Sequence, residues 1–202
     1  MKLSILICSL NSRVEKRKEL VALLLSSIGQ NYCEETHDKD YLIQKYIGEQ
    51  AEVIICTDDK QMSVGAKRNM LIKHAAGAYI SFIDDDDMVM PEYVARLLGK
   101  MGSSPDVIVF NAFRFVDGTR DKLVIYGKEY ADRNLNSSYQ RSPNHLMCIK
   151  RELAAKIRFK DISYGEDSDF ATRLLPHLRT QERIFDTLYH YFFDSKLTET
   201  QK

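Results

Sequence analysis

The sequence predicts an α/β fold, with a Rossmann-like, mostly parallel sheet flanked by helices and a small antiparallel hairpin in the second half. Apolar strand-like runs alternate with helix-like segments through the first half, which is typical of parallel strands joined by crossover helices. In the second half two strand-like runs flank Asp117 and Gly118, a dipeptide that favours a tight hairpin. We expect one domain over residues 1–202, because this length supports one sizeable core.

The first half is predicted to contain four strands and three helices. The strands are 2–8 (KLSILIC), 52–56 (EVIIC), 78–83 (AYISFI) and 106–111 (DVIVFN), and the helices are 14–28, 64–77 and 91–101. The first helix carries Leu20, Leu24 and Ile28 at helical spacing. We expect Gly77 to end the second helix as its C′ residue and Pro91 to begin the third near N1.

The second half mixes strands with one further helix. Strand-like runs cover 113–127 around the hairpin, 144–149 (NHLMCI) and 184–193 (IFDTLYHYFF), and a helix over 165–175 is ended by Pro176. The segment 31–50 is polar and lies between the first helix and the second strand, and we assign no secondary structure to it.

Composition and charge argue against several classes of protein. Lys plus Arg and Asp plus Glu both number 29, so net charge gives no reason to expect nucleic acid or an anionic membrane as partner. No apolar run reaches the ~18 residues of a membrane helix, so we expect no integral membrane segment. The four cysteines form no CxxC pair and are interpreted as reduced thiols of a cytoplasmic protein; they are Cys8, Cys33, Cys56 and Cys148.

Polar side chains follow three of the predicted parallel strands. They are Ser9, Leu10 and Asn11 after the first, Thr57, Asp58 and Asp59 after the second, and Asp84 to Asp87 after the third. Ligands of open parallel sheets bind outside the carboxyl ends of the strands. Adjacent carboxylates repel one another, so the aspartate run suggests a divalent cation and the phosphates it carries. A solvated acidic turn at the start of the third helix explains the run equally well.

The stretch GAKRN places cations near the same edge. Arg68 shares a helix face with Leu71, Ile72 and Ala75, so its guanidinium points inward and needs an anionic partner. A diphosphate suits its forked geometry, and a buried ion pair with one of the aspartates is the alternative.

The stretch GEDSDFATRL adds acidic residues at the start of a helix. Asp167 shares a face with Phe170, Ala171 and Leu174, which predicts an inward carboxylate suited to general-base chemistry. An N-terminal helix cap is the alternative for Asp167. Glu166 lies beside it, and the neighbouring Asp169 and Arg173 (i, i+4) are predicted to form a surface ion pair.

Taken in order, ILICSLN, VIICTDD, GAKRNMLIKHAAGAYISFIDDDD, PEYV and GEDSDFATRL resemble inverting family 2 glycosyltransferases of the GT-A fold. The resemblance runs from Leu3 to about Phe193. It implies a division into a nucleotide-sugar-binding half, 1–111, and an acceptor and catalytic-base half, 112–202.

The resemblance also implies roles for individual residues. Donor contacts would come from Leu10, Asn11, Asp58, Lys67, Arg68, Asp84 and Asp85, and the metal, Mn²⁺ or Mg²⁺, from Asp86, Asp87 and His190. Asp167 would be the catalytic base with Glu166 beside it, and His145 is a further candidate for the site. For both histidines a packed core position is the alternative.

The function implied is transfer of a sugar from a nucleotide diphosphate, of the UDP type, to an acceptor hydroxyl. The acceptor stays open among a glycan, a lipid-linked saccharide, a protein and a modified nucleobase. A sugar-nucleotide nucleotidyltransferase is a rival, but it would need a glycine-rich loop where this chain has SLNSRVEKR. A non-catalytic nucleotide-sugar-binding module is the rival from another class.

Overall fold

The computed structural model describes residues 1–31 and 42–195, and it confirms the α/β class. The strands are β1 (Leu3–Leu10), β2 (Leu42–Ile47), β3 (Ala51–Asp58), β4 (Tyr79–Asp84), β5 (Met88–Val89), β6 (Val107–Val116), β7 (Thr119–Tyr126), β8 (Arg133–Asn134), β9 (Ser138–Arg141), β10 (Cys148–Lys150) and β11 (Gln181–Phe193). The helices are α1 (Lys18–Ser27), α2 (Val64–His74), α3 (Tyr93–Lys100), α4 (Arg151–Ile157) and α5 (Glu166–Leu174).

These strands form one sheet in the order β2-β3-β1-β4-β10-β6-β7-β9-β8, and β11 pairs with β6 and β5. At its centre β1 lies parallel between β3 and β4, as the alternating pattern predicts. Leu10 is in register with Asp58, and Cys8 with Asp84. The carboxyl ends of the three strands therefore meet at one edge of the sheet.

The strand β10 interrupts the parallel arrangement. It lies antiparallel between β4 and β6, so β6 does not adjoin the other parallel strands. Its buried Cys148 and Ile149 fill the space between two apolar strands. The sequence signal covers 144–149, but only the last two of those residues lie in the strand, which continues to Lys150.

The hairpin predicted around Asp117 and Gly118 is confirmed. Val116 pairs with Thr119, so the turn has two central residues. Both have positive φ, 49° for Asp117 and 78° for Gly118, as a turn matched to the strand twist requires. The boundary at 111/112 falls inside β6, and the division into two functional halves stays a prediction.

Several elements differ from the sequence-based expectation. Part of segment 31–50 is a strand, since β2 pairs antiparallel with β3, whereas 32–41 lie outside the described residues. The short helix α4 was not predicted, because its seven residues give little periodic signal. Helix α3 begins at Tyr93, so Pro91 precedes the helix instead of occupying its first turn.

Gly77 was expected to cap α2 as its C′ residue, and that prediction is wrong. The helix ends at His74, Ala75 is extended, and Gly77 is not among the glycines with positive φ. Its role is close approach: its N–H donates to Ser4 Oγ at 2.9 Å, and a Cβ there would lie 2.6 Å from the Ser4 nitrogen. Gly77 thus lets the chain enter β4 directly beside β1.

Cys8, Cys56 and Cys148 are free thiols, as predicted, and Cys33 lies outside the described residues. Burial raises the pKa of the Cys56 thiol to about 11, which keeps it protonated and inert. Across 1–31 and 42–195, no helix combines the length and the apolar character that crossing a membrane requires.

Candidate active site

The predicted edge of the sheet brings the ends of β1, β3 and β4 together through side-chain hydrogen bonds. Ser9 Oγ donates to Asp85 at 2.7 Å, which joins β1 to the aspartate run. Asn11 Nδ2 donates to Asp59 at 2.9 Å, which joins β1 to the residue after β3. Leu10 lies half-buried between these two bonds and in register with Asp58. Leu10 and Asn11 thus occupy the tip of the edge, where the family resemblance implies donor contacts.

Asp58 and Lys67 form a buried ion pair of 2.6 Å beneath this edge. Lys67 Nζ also donates to the Ser9 carbonyl, and the second oxygen of Asp58 accepts from the Met62 N–H. Burial opposes ionisation of Asp58, but the hydrogen bond from Lys67 outweighs it and lowers the pKa of Asp58. Both groups are predicted donor contacts, yet each is at most 3% exposed, and the exposed carboxylate beside β3 is that of Asp59.

Arg13 neutralises part of the aspartate run. Its guanidinium lies 2.8 Å from Asp85 and 3.3 Å from Asp86. Asp85 is buried, whereas the Asp86 side chain is 32% exposed. Burial and the charges of Asp84 and Asp85 raise the pKa of Asp86, and Arg13 offsets only part of this effect. The negative charge at Asp86 is therefore incompletely compensated.

Asp87 is held by β11. Tyr189 donates its hydroxyl hydrogen to one oxygen of Asp87 at 2.6 Å, and the Phe192 N–H donates to the other at 2.8 Å. Burial and the charge of Asp84 raise the pKa of Asp87 well above its usual range. Each oxygen of this predicted metal ligand thus accepts a hydrogen bond from β11, and the carboxylate orders β11 against the aspartate run.

Arg68 connects the aspartate run to the start of α5. Its guanidinium lies 3.2 Å from Asp84 and 2.9 Å from Glu166, and it packs over the rings of Phe82 and Phe159. The residue is 4% exposed. The inward orientation predicted from the helix period is confirmed, and its anionic partners are two carboxylates of the chain.

His145 reaches the same cluster from the loop before β10. Its Nε2 lies 3.5 Å from Asp84, and its buried Nδ1 has no hydrogen-bond partner among the described residues. Burial opposes ionisation of Asp84, but His145 and Arg68 outweigh it and lower the pKa of that carboxyl. The structure thus brings His145 to the site and holds Asp84 ionised.

The two acidic residues that open α5 differ in how deeply they are buried. Glu166 is buried with Phe170 and Leu174, whereas Asp167 is half-buried and accepts from the Ser168 N–H at 2.7 Å. Burial raises the pKa of Glu166, and Arg68 offsets part of the effect. The predicted companions of Asp167, which are Phe170, Ala171 and Leu174, are all buried, and Asp167 itself lies half-buried at the border of that face, beside the buried Glu166.

The ion pair expected between Asp169 and Arg173 is confirmed, with Arg173 Nε donating to Asp169 at 2.7 Å. Lys160 also pairs with Asp169 at 2.5 Å. The outer face of α5 is therefore anchored to the preceding loop, and this carboxylate takes no part in the cluster around Arg68.

His190 lies on the other face of β11 from the tyrosine that bonds Asp87. Side chains alternate along a strand, so Tyr189 and Tyr191 share one face and His190 takes the opposite one. Its ring packs edge-on against Phe115, 5.2 Å between centroids. Burial and then Arg120 lower the pKa of His190. The described structure does not bring this predicted metal ligand to the aspartates.

The carboxylates of the aspartate run fit one mode of metal binding. Within 1–31 and 42–195, no three His, Cys, Asp or Glu side chains converge as a ready ligand set. Asp86 and Asp84 are partly exposed carboxylates, and burial together with the charges of Asp84 and Asp85 raises the pKa of Asp86. Mg²⁺ is commonly held by one or two carboxylates together with substrate phosphates. The aspartate run fits this mode, and it does not form a complete protein cage.

Sequence reasoning missed two residues of the site. Arg13 follows the tip of β1 by three residues and could have been found among the polar positions after that strand. Tyr189 could have been found from the alternation of side chains along a strand. It directly precedes His190, the predicted metal ligand, and therefore lies on the opposite face of β11.

Comparisons with known proteins agree with this geometry. The family model described as glycosyl transferase family 2 matches residues 35–158. The minor teichoic acid biosynthesis protein GgaB of Bacillus subtilis (strain 168) is 24% identical over 169 residues, which cover 78% of this chain and 18% of that protein. The putative glycosyltransferase EpsH of the same strain is 27% identical over 150 residues, 65% of this chain and 42% of that protein. The chain therefore spans less than half the length of these relatives.

Solved structures share the fold. S. aureus TarS aligns with 96% of this chain and 37% of its own, with a TM-score of 0.65 and 16% identity. TarS 1-349 in complex with UDP-GlcNAc aligns with 96% of this chain and 59% of its own, with a TM-score of 0.63 and 16% identity. The sheet is thus that of a GT-A glycosyltransferase. Since the family model covers more than half of the sequence, the chain belongs to glycosyl transferase family 2.

Proposed function

We propose that the protein is a metal-dependent inverting glycosyltransferase that moves a sugar from a UDP-sugar to an acceptor hydroxyl, with Asp167 as general base. The observation that carries the proposal is the pair of contacts made by Arg68, 3.2 Å to Asp84 and 2.9 Å to Glu166. This bridge holds the start of α5, where Asp167 lies, beside the carboxyl edge of the sheet. The TarS complexes with UDP-GlcNAc and UDP support the class of donor.

The residues of the chain divide the work between binding and proton transfer. Leu10, Asn11 and the exposed Asp59 form the tip of the edge, where the nucleobase is expected to lie. The acceptor oxygen forms the new bond to the anomeric carbon as the bond to the diphosphate oxygen breaks, and Asp167 takes the hydroxyl proton. Holding donor and acceptor in line supplies a further part of the acceleration.

Asp86 and Asp84 are the residues that would hold Mn²⁺ or Mg²⁺ together with the donor phosphates. When bound, the cation would neutralise charge that develops on the diphosphate leaving group. Arg13 lies 3.3 Å from Asp86. Its guanidinium would either help to neutralise the diphosphate or be displaced from Asp86 by the cation. The free thiols of Cys8, Cys56 and Cys148 support a reducing compartment, and we propose the cytoplasm.

The test is thermal unfolding with UDP in Mn²⁺ and in chelator, for the parent and for Asp86→Asn. We expect stabilisation of about 2.7 kcal/mol at UDP concentrations 100-fold above Kd in Mn²⁺, and little in chelator. In Asp86→Asn, UDP should stabilise the protein to the same small extent in Mn²⁺ and in chelator, because the charge that attracts the cation is weakened. Asp186→Asn is the matched control, since this carboxylate is half-exposed and pairs with Arg96 on the surface.

Two results would contradict the proposal in different parts. Equal stabilisation by UDP in Mn²⁺ and chelator would remove the metal from the mechanism. Binding of UDP-GlcNAc with no detectable hydrolysis or transfer under any condition would instead favour a non-catalytic binding module.

A further inference from the structure

A cavity of about 330 Å³ opens in the second half of the chain, beside the aspartate run. Its walls come from β6, β7, β9 and β11, and they carry Arg114, Tyr126, Tyr139, Arg141, Tyr191 and Phe193. Tyr191 lies on the same face of β11 as Tyr189, which bonds Asp87. Burial and then the charges of Asp87, Asp84 and Asp86 raise the pKa of Tyr191 to about 12. The cavity, here termed the Arg141 pocket, therefore adjoins the donor edge.

Arg141 is fixed in place without a carboxylate partner. Its guanidinium donates to the Arg133 and Gln140 carbonyls at 3.0 and 2.8 Å, and to Asn134 Oδ1 at 2.7 Å. All three acceptors are neutral. Over the ranges 1–31 and 42–195, no Asp or Glu pairs with this residue, although it is half-buried. A preorganised guanidinium that forms no ion pair within those ranges thus lines the pocket.

Three cationic side chains pack around the aromatic wall of the pocket. The guanidinium groups of Arg114 and Arg141 lie 5.5 and 5.1 Å from the ring centre of Tyr139. Lys122 lies 5.2 Å from the same ring. Asp121 pairs with Arg114 at 3.3 Å and neutralises that charge. Arg141, unlike Arg114, pairs with no carboxylate of the described residues.

We propose that the Arg141 pocket binds a saccharide that carries an oxyanion, a phosphate or a carboxylate, and presents it as the acceptor. A guanidinium matches both groups through paired N–H donors. The ring of Tyr191, which lines the same pocket, offers an apolar face with a polar edge to the sugar. The acceptor role rests on the proposed function, whereas binding of the anionic saccharide does not.

The test is an NMR titration of the protein in chelator, with N-acetylglucosamine 6-phosphate, glucuronic acid, neutral N-acetylglucosamine and inorganic phosphate as probes. We expect shifts in the ring signals of Tyr126, Tyr139 and Tyr191 with the phosphorylated or the carboxylated sugar. The neutral sugar should bind at least about tenfold more weakly, since it lacks the charged hydrogen bond. The anionic sugar that binds more tightly identifies whether the pocket prefers a phosphate or a carboxylate.

Arg141→Gln should weaken binding of the anionic sugar about tenfold or more and leave the neutral sugar unaffected. Arg114→Gln provides a second variant if Arg141→Gln fails to fold. Arg120→Gln is the matched control, because this arginine lies on β7 and packs over Phe113 outside the pocket. It should bind both sugars as the parent does.

Equal affinity for neutral and anionic sugars, or shifts confined to residues outside the pocket, would overturn the proposal. So would a loss of binding in Arg120→Gln equal to that in Arg141→Gln. The UDP thermal shift on the same samples separates the two proposals. UDP stabilisation with no sugar binding refutes the pocket alone, and pocket binding without UDP stabilisation refutes the proposed function alone.

Discussion

At the scale of single residues, the four consecutive aspartates after β4 have four different environments. Asp84 is paired with Arg68, Asp85 with Ser9 and Arg13, and Asp87 is bound by β11. Asp86 keeps partial exposure and a raised pKa. The repulsion expected within such a run is thus relieved by partners for three carboxylates, whereas Asp86 only shares Arg13 with Asp85 and is the carboxylate best suited to attract a cation.

Asp167→Asn tests the base assignment. We expect transfer to fall by about 10²- to 10⁴-fold with near-normal unfolding, because the half-exposed carboxylate makes one local hydrogen bond that Asn can also make. The measurement is initial transfer rate beside urea unfolding. Asp169→Asn is the control on the same helix, and it should retain transfer.

Glu166→Gln should behave differently from Asp167→Asn. It weakens a buried charged hydrogen bond to Arg68, so unfolding free energy should drop by about 1–3 kcal/mol. Transfer by Asp167→Asn within a few-fold of the parent would disprove the base assignment.

At the scale of elements, Asp106 fastens the start of β6 to the start of β11. Its carboxylate accepts from the Arg179 and Thr180 N–H groups at 2.8 and 3.0 Å and pairs with Lys150 at 3.1 Å. Burial opposes ionisation, but these three donors outweigh it and lower the pKa of Asp106 to about 2. A single carboxylate therefore connects β6, β10 and the segment that leads into β11.

Asp106→Asn should reduce the free energy of unfolding by about 1–2 kcal/mol at pH 7. The folded-state pKa is depressed, so the stabilisation is complete above the unfolded pKa near 4 and is lost as pH falls toward about 2. The difference in free energy of unfolding between the parent and Asp106→Asn, measured by urea unfolding, should accordingly narrow from pH 5 downward. Asp186→Asn, on β11 in a surface pair, should change stability by no more than about 0.5 kcal/mol. A gap that stays constant down to pH 2 would contradict the assignment.

At the scale of the whole molecule, Arg68 joins the two halves implied by the family resemblance. The guanidinium comes from α2, its carboxylate partners from β4 and α5, and its aromatic contacts from Phe82 and Phe159. Phe159 in turn stacks on Phe170 of α5, 4.0 Å between ring centres. The donor edge and the helix that carries Asp167 are thus positioned by one buried charge.

Arg68→Met should lower the free energy of unfolding by about 3–5 kcal/mol, because it leaves two carboxylates without their cation. In the double variant with Glu166→Gln the loss should be smaller than the sum of the single losses by about 1 kcal/mol or more, measured by urea unfolding. Arg96→Met, which breaks an exposed pair, should have little effect. Additive losses would show that Arg68 and Glu166 do not act together.

The sequence by itself determined the fold class, the hairpin at Asp117 and Gly118, and the edge where the site lies. These follow from local signals: apolar periodicity, turn residues and the rule that parallel strands share an edge. The inward direction of Arg68 also follows from helix spacing within α2.

Only the tertiary structure decided the insertion of β10, the partners of each aspartate, the deeper burial of Glu166 than of Asp167 and the face taken by His190. These depend on contacts between residues far apart in sequence, such as Arg13 with Asp85 or Tyr189 with Asp87. Periodicity fixes which residues share a face to within one position, which is too coarse to decide which of the two adjacent carboxylates of α5 is more deeply buried. Which anion a buried cation meets is set by the packing of whole elements, and no local pattern records it.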